Sequence, residues 1–283
     1  MTRPAACLID VYETILSCDF SRHNQEMPAL AGVGPDAWRA GIWRVGPLFN
    51  LGRLTKAEGF AQILQECDVE PRADLVSALV ATDRELLLAS AYLYDDSISF
   101  LENLRSHGVR AAIVSNCSEH TRALLVKLGV PELVDVVVLS CEVGAVKPSA
   151  QIFRHALEQL RVPAGAALFV DDQAAFCAGA VALGISAAQI VRGELDGVRG
   201  VDGKLPAAGT TVVGSLAEVA EQADHVQQSQ HGSRGRLDPL RLGSATGRAS
   251  LDRRTSEQPW PTRSWLRGRR VGTRSPGRCG GAC

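Results

Sequence analysis

The strongest constraint on the fold is a rhythm: short, apolar, β-branched runs alternate with stretches of helical periodicity. The runs are Ala6 to Asp10, Val109 to Ser115, Val134 to Ser140, Ala167 to Asp171 and, with a fainter pattern, Ala187 to Val191 and Thr211 to Val213. Runs of this length without clean polar alternation suit strands that are covered on both faces. Between them, Ile98 to Ser106, Glu119 to Leu128, Ala150 to Leu160, Ala174 to Leu183 and Leu216 to Gln222 carry helix patterns. Gly108, Gly129 and Gly184 stand where such helices would stop before the next strand. The rhythm predicts an α/β fold built on a doubly wound parallel sheet.

One interval breaks it. Residues 18 to 94 show helical spacing (Trp38, Ile42 and Trp43; Phe60, Ile63 and Leu64; Leu75 and Leu79; Leu86 to Leu88) and almost no strand signal. The interval is too long for a loop. It predicts a small α-helical domain inserted after the first strand, able to cover the strand ends where ligands bind. The core is then 1–17 and 95–225, and the helical cap is 18–94. Trp38 and Trp43 are expected in the cap's own core. Arg22, Arg39, Arg44 and Arg53 are the cap cations available to grip an anion.

Composition matters chiefly at the C-terminal end of the chain. From His231 to Cys283 there are 12 Arg, no Lys and 3 acidic residues, whereas residues 1–230 carry a net charge of -10. The segment 226–283 is rich in Gly, Ser, Pro and Arg without apolar periodicity, so it is expected to be a disordered tail. Such a tail could meet phosphates, with Trp260 and Trp265 for stacking, but the simpler reading is a dispensable extension. No nucleic-acid partner is expected elsewhere. The first apolar run ends in a carboxylate rather than a cleavage site, so no signal peptide is expected, and no run is long enough for a membrane span. The 8 cysteines form no CxxC pair. They read as reduced thiols of a cytoplasmic protein.

The chemistry is concentrated where the apolar runs end. Asp10 is a carboxylate at a strand terminus, usable as a nucleophile if cations beside it neutralise the incoming group. Ser115 and Asn116 end another strand and offer a hydroxyl, an amide and main-chain N–H groups to an anion. Lys147 adds a positive charge suited to both nucleophile and substrate. Asp171 and Asp172 end a further strand, and two more carboxylates beside Asp10 invite a hard divalent cation, Mg2+ above all. Each element alone is common. Their order along successive strands is what gives them weight.

LIDVYETIL, IVSNCSEHTR, VGAVKPSAQIF and ALFVDDQAAFCAGAVALGI together resemble, in order, the four motifs of the haloacid dehalogenase-like hydrolase superfamily. The resemblance implies a Rossmann-like core, a helical cap after the first motif and an aspartyl-enzyme intermediate on Asp10. It implies that Ser115, Asn116 and Lys147 bind the transferred group, and that Asp10, Asp171, Asp172 and the main-chain carbonyl of Tyr12 hold Mg2+.

Two positions depart from the usual phosphatase motif DxDGT. Tyr12 replaces the second Asp, which serves as acid and base, and a tyrosine of reference pKa about 10 is a poor base. Glu13 replaces the Gly, which puts the tight turn in question; as a substitute acid Glu13 is disfavoured, because the next residue along a strand faces away. Tyr at position 12 resembles the 2-haloacid dehalogenases, whose halide leaves without a proton and without metal. The intact Asp171–Asp172 pair points instead to Mg2+-assisted phosphoryl transfer, because clustered carboxylates are costly without a compensating cation. A phosphatase acting on a small phosphorylated metabolite is therefore expected, with Asp10, Lys147 and Tyr12 as catalytic residues. A dehalogenase-type hydrolase is the alternative, and a non-catalytic homologue that binds a phospho-ligand or a partner is the third reading.

Overall fold

A computed structural model describes residues 3–192, 206 and 208–221. The main sheet has six parallel strands: β1 (Ala6–Ile9), β4 (Arg110–Ser115), β5 (Val136–Leu139), β6 (Ala167–Asp171), β7 (Ser186–Ile190) and β8 (Thr210–Val213). A short pair, β2 (Leu16–Cys18) and β3 (Ala91–Leu93), runs antiparallel beside it. The spatial order β5-β4-β1-β6-β7-β8 places the first strand in the middle and reverses direction of travel between β1 and β6. In open α/β sheets that switch point, at the carboxyl ends of the strands, is where ligands bind.

Side-chain alternation on β1 explains why this strand must be central. Cys7 and Ile9 enter one buried cluster with Phe100, Leu101 and Leu124, while Ala6 and Leu8 enter another with Phe153, Ala156 and Phe169. Both faces are thus covered, by α5 (Ser97–Ser106) and α6 (Thr121–Lys127) on one side and α8 (Ala150–Leu160) and α9 (Ala174–Val181) on the other. A short α7 (Ser140–Val143) follows β5 directly, so the expected strand to Ser140 ends one residue early. Residues 216–221 are helical, and the segment 226–283, including its expected disorder, lies outside the described residues.

Between β2 and β3 lie four helices: α1 (Ser21–Ala31), α2 (Pro35–Asn50), α3 (Lys56–Glu66) and α4 (Ala73–Ser90). Pro35 opens α2 at a position where its missing N–H costs nothing. Thr55 and Glu58 form a reciprocal capping box at the start of α3. The apolar stripes meet in a separate core of Met27, Trp38, Val45, Phe60, Ile63 and Leu79. Trp38 is part of it; Trp43, expected beside it, is 43% exposed instead. The strands β2 and β3 partly occupy the stretch that looked wholly helical. Three residues each, they are defined by the pairing of residues as far apart in the chain as Ser17 and Tyr92 rather than by any local pattern. No helix among the described residues is long and apolar enough to cross a membrane.

Candidate active site

β1 and β6 deliver the acidic groups. Asp10 follows β1, where its N–H is held by the carbonyl of Val170 at 2.9 Å, and Asp171 ends the neighbouring β6. Asp172 is the next residue. One carboxylate oxygen from each of Asp10, Asp171 and Asp172 lies within 4.8 Å of the others, and all three residues are buried. Lys147 stands among them: its Nζ donates to Asp10 Oδ1 and to Asp171 Oδ2, both at 2.6 Å. The same ammonium lies over the rings of Phe176 and Phe169, at 5.0 and 5.5 Å from their centroids.

The remaining contacts show how tightly this cluster is defined. The N–H of Gln173 donates to Asp171 Oδ1 at 2.7 Å, so both oxygens of Asp171 are engaged. The Asp172 Oδ1 has no hydrogen-bond partner although it is buried, and neither has the hydroxyl of Ser115. Burial pushes the Asp171 carboxyl up to about 7 even though Lys147 pulls it down, and burial with the charges of Asp171 and Asp10 drives Asp172 well above the usual carboxylate range. For Lys147, burial opposes the charge, but Asp10 and Asp171 outweigh it and keep the ammonium protonated. Three carboxylates share one ammonium here, so a protein without a further cation must leave two negative charges uncompensated or protonate them. An orphaned carboxylate oxygen beside two others is a donor set that a hard divalent ion fits.

Asn116 does something the sequence did not show. Its side-chain Nδ2 donates to the carbonyl of Lys147 at 3.0 Å and its Oδ1 accepts from the Lys147 N–H at 2.7 Å. The amide clamps the backbone that carries the ammonium, engaging its oxygen and one of its two N–H donors. The clamped peptide Lys147–Pro148 is cis. Helix α9 packs hard against it at Gly179, where a Cβ would lie 2.6 Å from the Pro148 Cβ.

Tyr12 leaves the acidic cluster. Its hydroxyl shares a 2.8 Å hydrogen bond with Thr121 Oγ1 on α6, and burial pushes the phenol well above its ordinary value. The turn put in doubt by Glu13 nevertheless forms, with Glu13 in the left-handed region at φ 57 and its N–H bonded to the Leu16 carbonyl. The conformation costs a non-glycine residue about 1–2 kcal/mol. The Glu13 carboxylate offsets this by accepting from Ser17 at 2.6 Å and Tyr94 at 2.9 Å, on the side of the β2–β3 pair.

A cavity of about 310 Å3 opens beside Tyr12, Asn116, Cys117 and Ser118 and runs under α1 and α2. The arginines of the helical insertion contribute little to it. Arg22 pairs with Glu26 and Arg44 with Glu66 at the surface, Arg53 is exposed, and Arg39, which does line the cavity, pairs with Asp36. The inward cation is Lys56, 3.0 Å from Asp83 Oδ2 and stacked over Phe49 at 4.9 Å. His120 is buried and bonded through Nδ1 to the same Asp83 oxygen at 3.0 Å. Burial acts against the Asp83 charge, yet Lys56 and His120 together hold its carboxyl below the usual range. A sequence signal did exist: Asp83 falls four residues after Leu79 and three before Leu86, on the buried face of α4. Lys56 and His120 had none.

Residues 4–184 match the family described as haloacid dehalogenase-like hydrolase. The chain belongs to that family. Among relatives of this haloacid dehalogenase-like hydrolase, Phosphatase MT3486 of Mycobacterium tuberculosis (strain CDC 1551 / Oshkosh) is 34% identical over 201 residues, 65% of this chain and 85% of that one. Glyceraldehyde 3-phosphate phosphatase of Methanopyrus kandleri is 30% identical over 115 residues, 40% of this chain, and the match spans only 49% of that relative. The L-2-haloacid dehalogenase of Xanthobacter autotrophicus with chloropropionic acid covalently bound superposes with a TM-score of 0.56 at 20% identity, covering 79% of this chain and 99% of that one. That last likeness is one of fold.

Proposed function

We propose that this hydrolase is a Mg2+-dependent phosphatase acting on a small phosphorylated metabolite through an aspartyl-phosphate on Asp10. The observation that carries the reading is the charge imbalance of three buried carboxylates around one ammonium. The two relatives named as phosphatases support it. Asp10, Asp171, Asp172 and the main-chain carbonyl of Tyr12 would hold the ion, which when bound neutralises charge on the phosphoryl oxygens. Residues 18–94 act as the cap, residues 1–17 and 95–225 as the core, and the free thiols of the described cysteines suit a reducing cytoplasm.

In this reading Lys147 fixes one oxygen of Asp10, leaving the other to attack phosphorus as the ester oxygen departs. The unpartnered Ser115 hydroxyl donates to a phosphoryl oxygen, and Asn116 serves the same group by aiming Lys147. With Thr121 donating to Tyr12, the phenol hydrogen turns to the leaving oxygen as a hydrogen bond, short of full proton transfer. The departing alkoxide takes its proton from solvent. Water then attacks phosphorus, the Asp10–phosphorus ester bond breaks as the new P–O bond forms, the water's proton passes to solvent, and inorganic phosphate leaves with the Asp10 carboxylate restored. Tyr12 stays protonated and gives that water no base, so hydrolysis of the intermediate is the slow step.

Tyr12 is also the observation that favours a second reading, 2-haloacid dehalogenation through an aspartyl ester. The two separate cleanly when the full chain is assayed on p-nitrophenyl phosphate and 2-chloropropionate, each with Mg2+ and with chelator. Phosphate release abolished by chelator is the expected result; chloride release indifferent to metal would sink the proposal. Silence on both, with Mg2+-dependent binding of a phosphate analogue, would establish the non-catalytic reading instead.

A further inference from the structure

We infer that the cavity under α1 and α2 receives the leaving group of a phosphomonoester whose alcohol is uncharged, bulky and apolar or aromatic, an inference that rests on the phosphatase reading and deepens it. At about 310 Å3 the cavity has the size of a small-molecule site. One end is formed by Tyr12, two residues along the chain from Asp10, and by Asn116, at the end of the strand that neighbours β1. A phosphoryl group at the carboxylate cluster therefore leaves its alcohol pointing into this space.

The walls beyond that end are Phe20, Met27, Trp38, Ile42, Trp43 and Phe49. Two of them show that the surface is presented rather than merely left over. Trp38 is 5% exposed and belongs to the helical core, whereas Trp43, one helical turn and a residue further along α2, is 43% exposed and offers its indole to the cavity. A large aromatic on a helix that could have buried it suits stacking on a ligand. Gly46, almost one turn on, also lines the cavity, and a Cβ built there would meet no atom within 4 Å. A side chain begun at 46 would therefore enter ligand space, its Cβ meeting no other atom.

Charge sets the second half of the specificity. Two cations border the cavity, and both are already paired, Arg39 with Asp36 and Lys56 with Asp83. A leaving group carrying its own phosphate or carboxylate would have to break the buried Lys56–Asp83 pair or rely on Arg39, which faces solvent, where an ion pair gains little. Asn24 and Asn50 offer neutral hydrogen bonds, enough for a hydroxyl or a ring heteroatom.

The test uses the full chain with Mg2+ and three esters whose leaving alcohols are all primary: 2-phenylethyl phosphate, ethyl phosphate and glycerol 1-phosphate. Because all three expel an alkoxide, the ratio of kcat/KM reports on binding of the organic part. 2-Phenylethyl phosphate is expected to exceed ethyl phosphate by about tenfold or more, mainly through KM, as burial of one phenyl-sized group allows. Trp43→Ala and Gly46→Leu should each lower that ratio at least about threefold, by loss of the stacking face and by filling of the space. Should Gly46→Leu fail to fold by circular dichroism, Trp43→Ala decides, since its side chain is half in solvent. Equal kcat/KM for the three esters, a preference for glycerol 1-phosphate, or an unchanged ratio in Trp43→Ala would overturn the substrate class and leave the phosphatase reading standing. No Mg2+-dependent phosphate release from these esters or from p-nitrophenyl phosphate would overturn both.

Discussion

The strand-end cluster and the cavity wall lie next to each other and are built on opposite principles. At the cluster the central groups are over-determined: Lys147 is held by two carboxylates through its ammonium and by Asn116 through its backbone, while Asp171 uses both oxygens. The cavity wall comes from helices with their own core, and beside core members such as Met27, Trp38 and Phe49 it shows groups that core does not use, Trp43 and the bare backbone at Gly46. The cluster therefore has one workable arrangement, fit for a fixed chemical step. At Trp43 and Gly46 the wall can change without removing a core contact, as would suit a surface that selects substrates.

That contrast can be broken by mutation. Asp10→Asn should lower phosphate release by about a thousandfold or more while binding of a phosphate analogue persists, because the nucleophile is lost but the amide oxygen can still face Lys147 and the ion. Persistent turnover would remove Asp10 from the chemistry. Lys147→Met should abolish activity and also cost about 3–5 kcal/mol in urea unfolding, since it strands carboxylates that the ammonium now compensates. If stability is unchanged, the cluster is not over-determined in the sense described. Asn116→Ala should reduce kcat by about tenfold to a hundredfold with little loss of stability, the clamp acting on the aim of Lys147 rather than on packing. A change confined to KM would instead make Asn116 a direct substrate contact.

The buried pair in the helical insertion sharpens the same comparison by its pH dependence. Asp83 has a folded pKa depressed below its unfolded value, so its contribution to stability is fully present above about pH 4 and is lost as the pH falls further. Asp83→Asn should thus destabilise the protein at neutral pH by about 1.5–3 kcal/mol and flatten the acid limb of its stability profile, which chemical denaturation at stepped pH will show. The smallest mutational loss is expected for Tyr12→Phe, within about threefold of the parent in turnover, because a hydrogen bond to the leaving oxygen is a minor aid. Tyr12→Asp should raise turnover by supplying the missing base; no gain in a folded, Mg2+-binding variant would locate the proton transfer elsewhere.

The sequence by itself determined the parallel core and its chemically equipped edge. Strands buried on both faces must be short continuous apolar runs, and their first polar residues (Asp10, Ser115, Asp171) must emerge together where the sheet ends. It determined the helical insertion for the same kind of reason, an apolar period of the right length. Local pattern carries no information about rotation of one helix against another. Packing alone kept Trp43 out of the helical core, buried Lys56 beside Asp83, and joined Asp83 of the insertion to His120 of the core. The Glu13 turn likewise depended on acceptance from Ser17 and from Tyr94, which lies 81 residues away. Groups placed by the strand they end were legible; groups placed by which surfaces meet were decided only by the tertiary structure, because the energy that sets them belongs to contacts between distant segments.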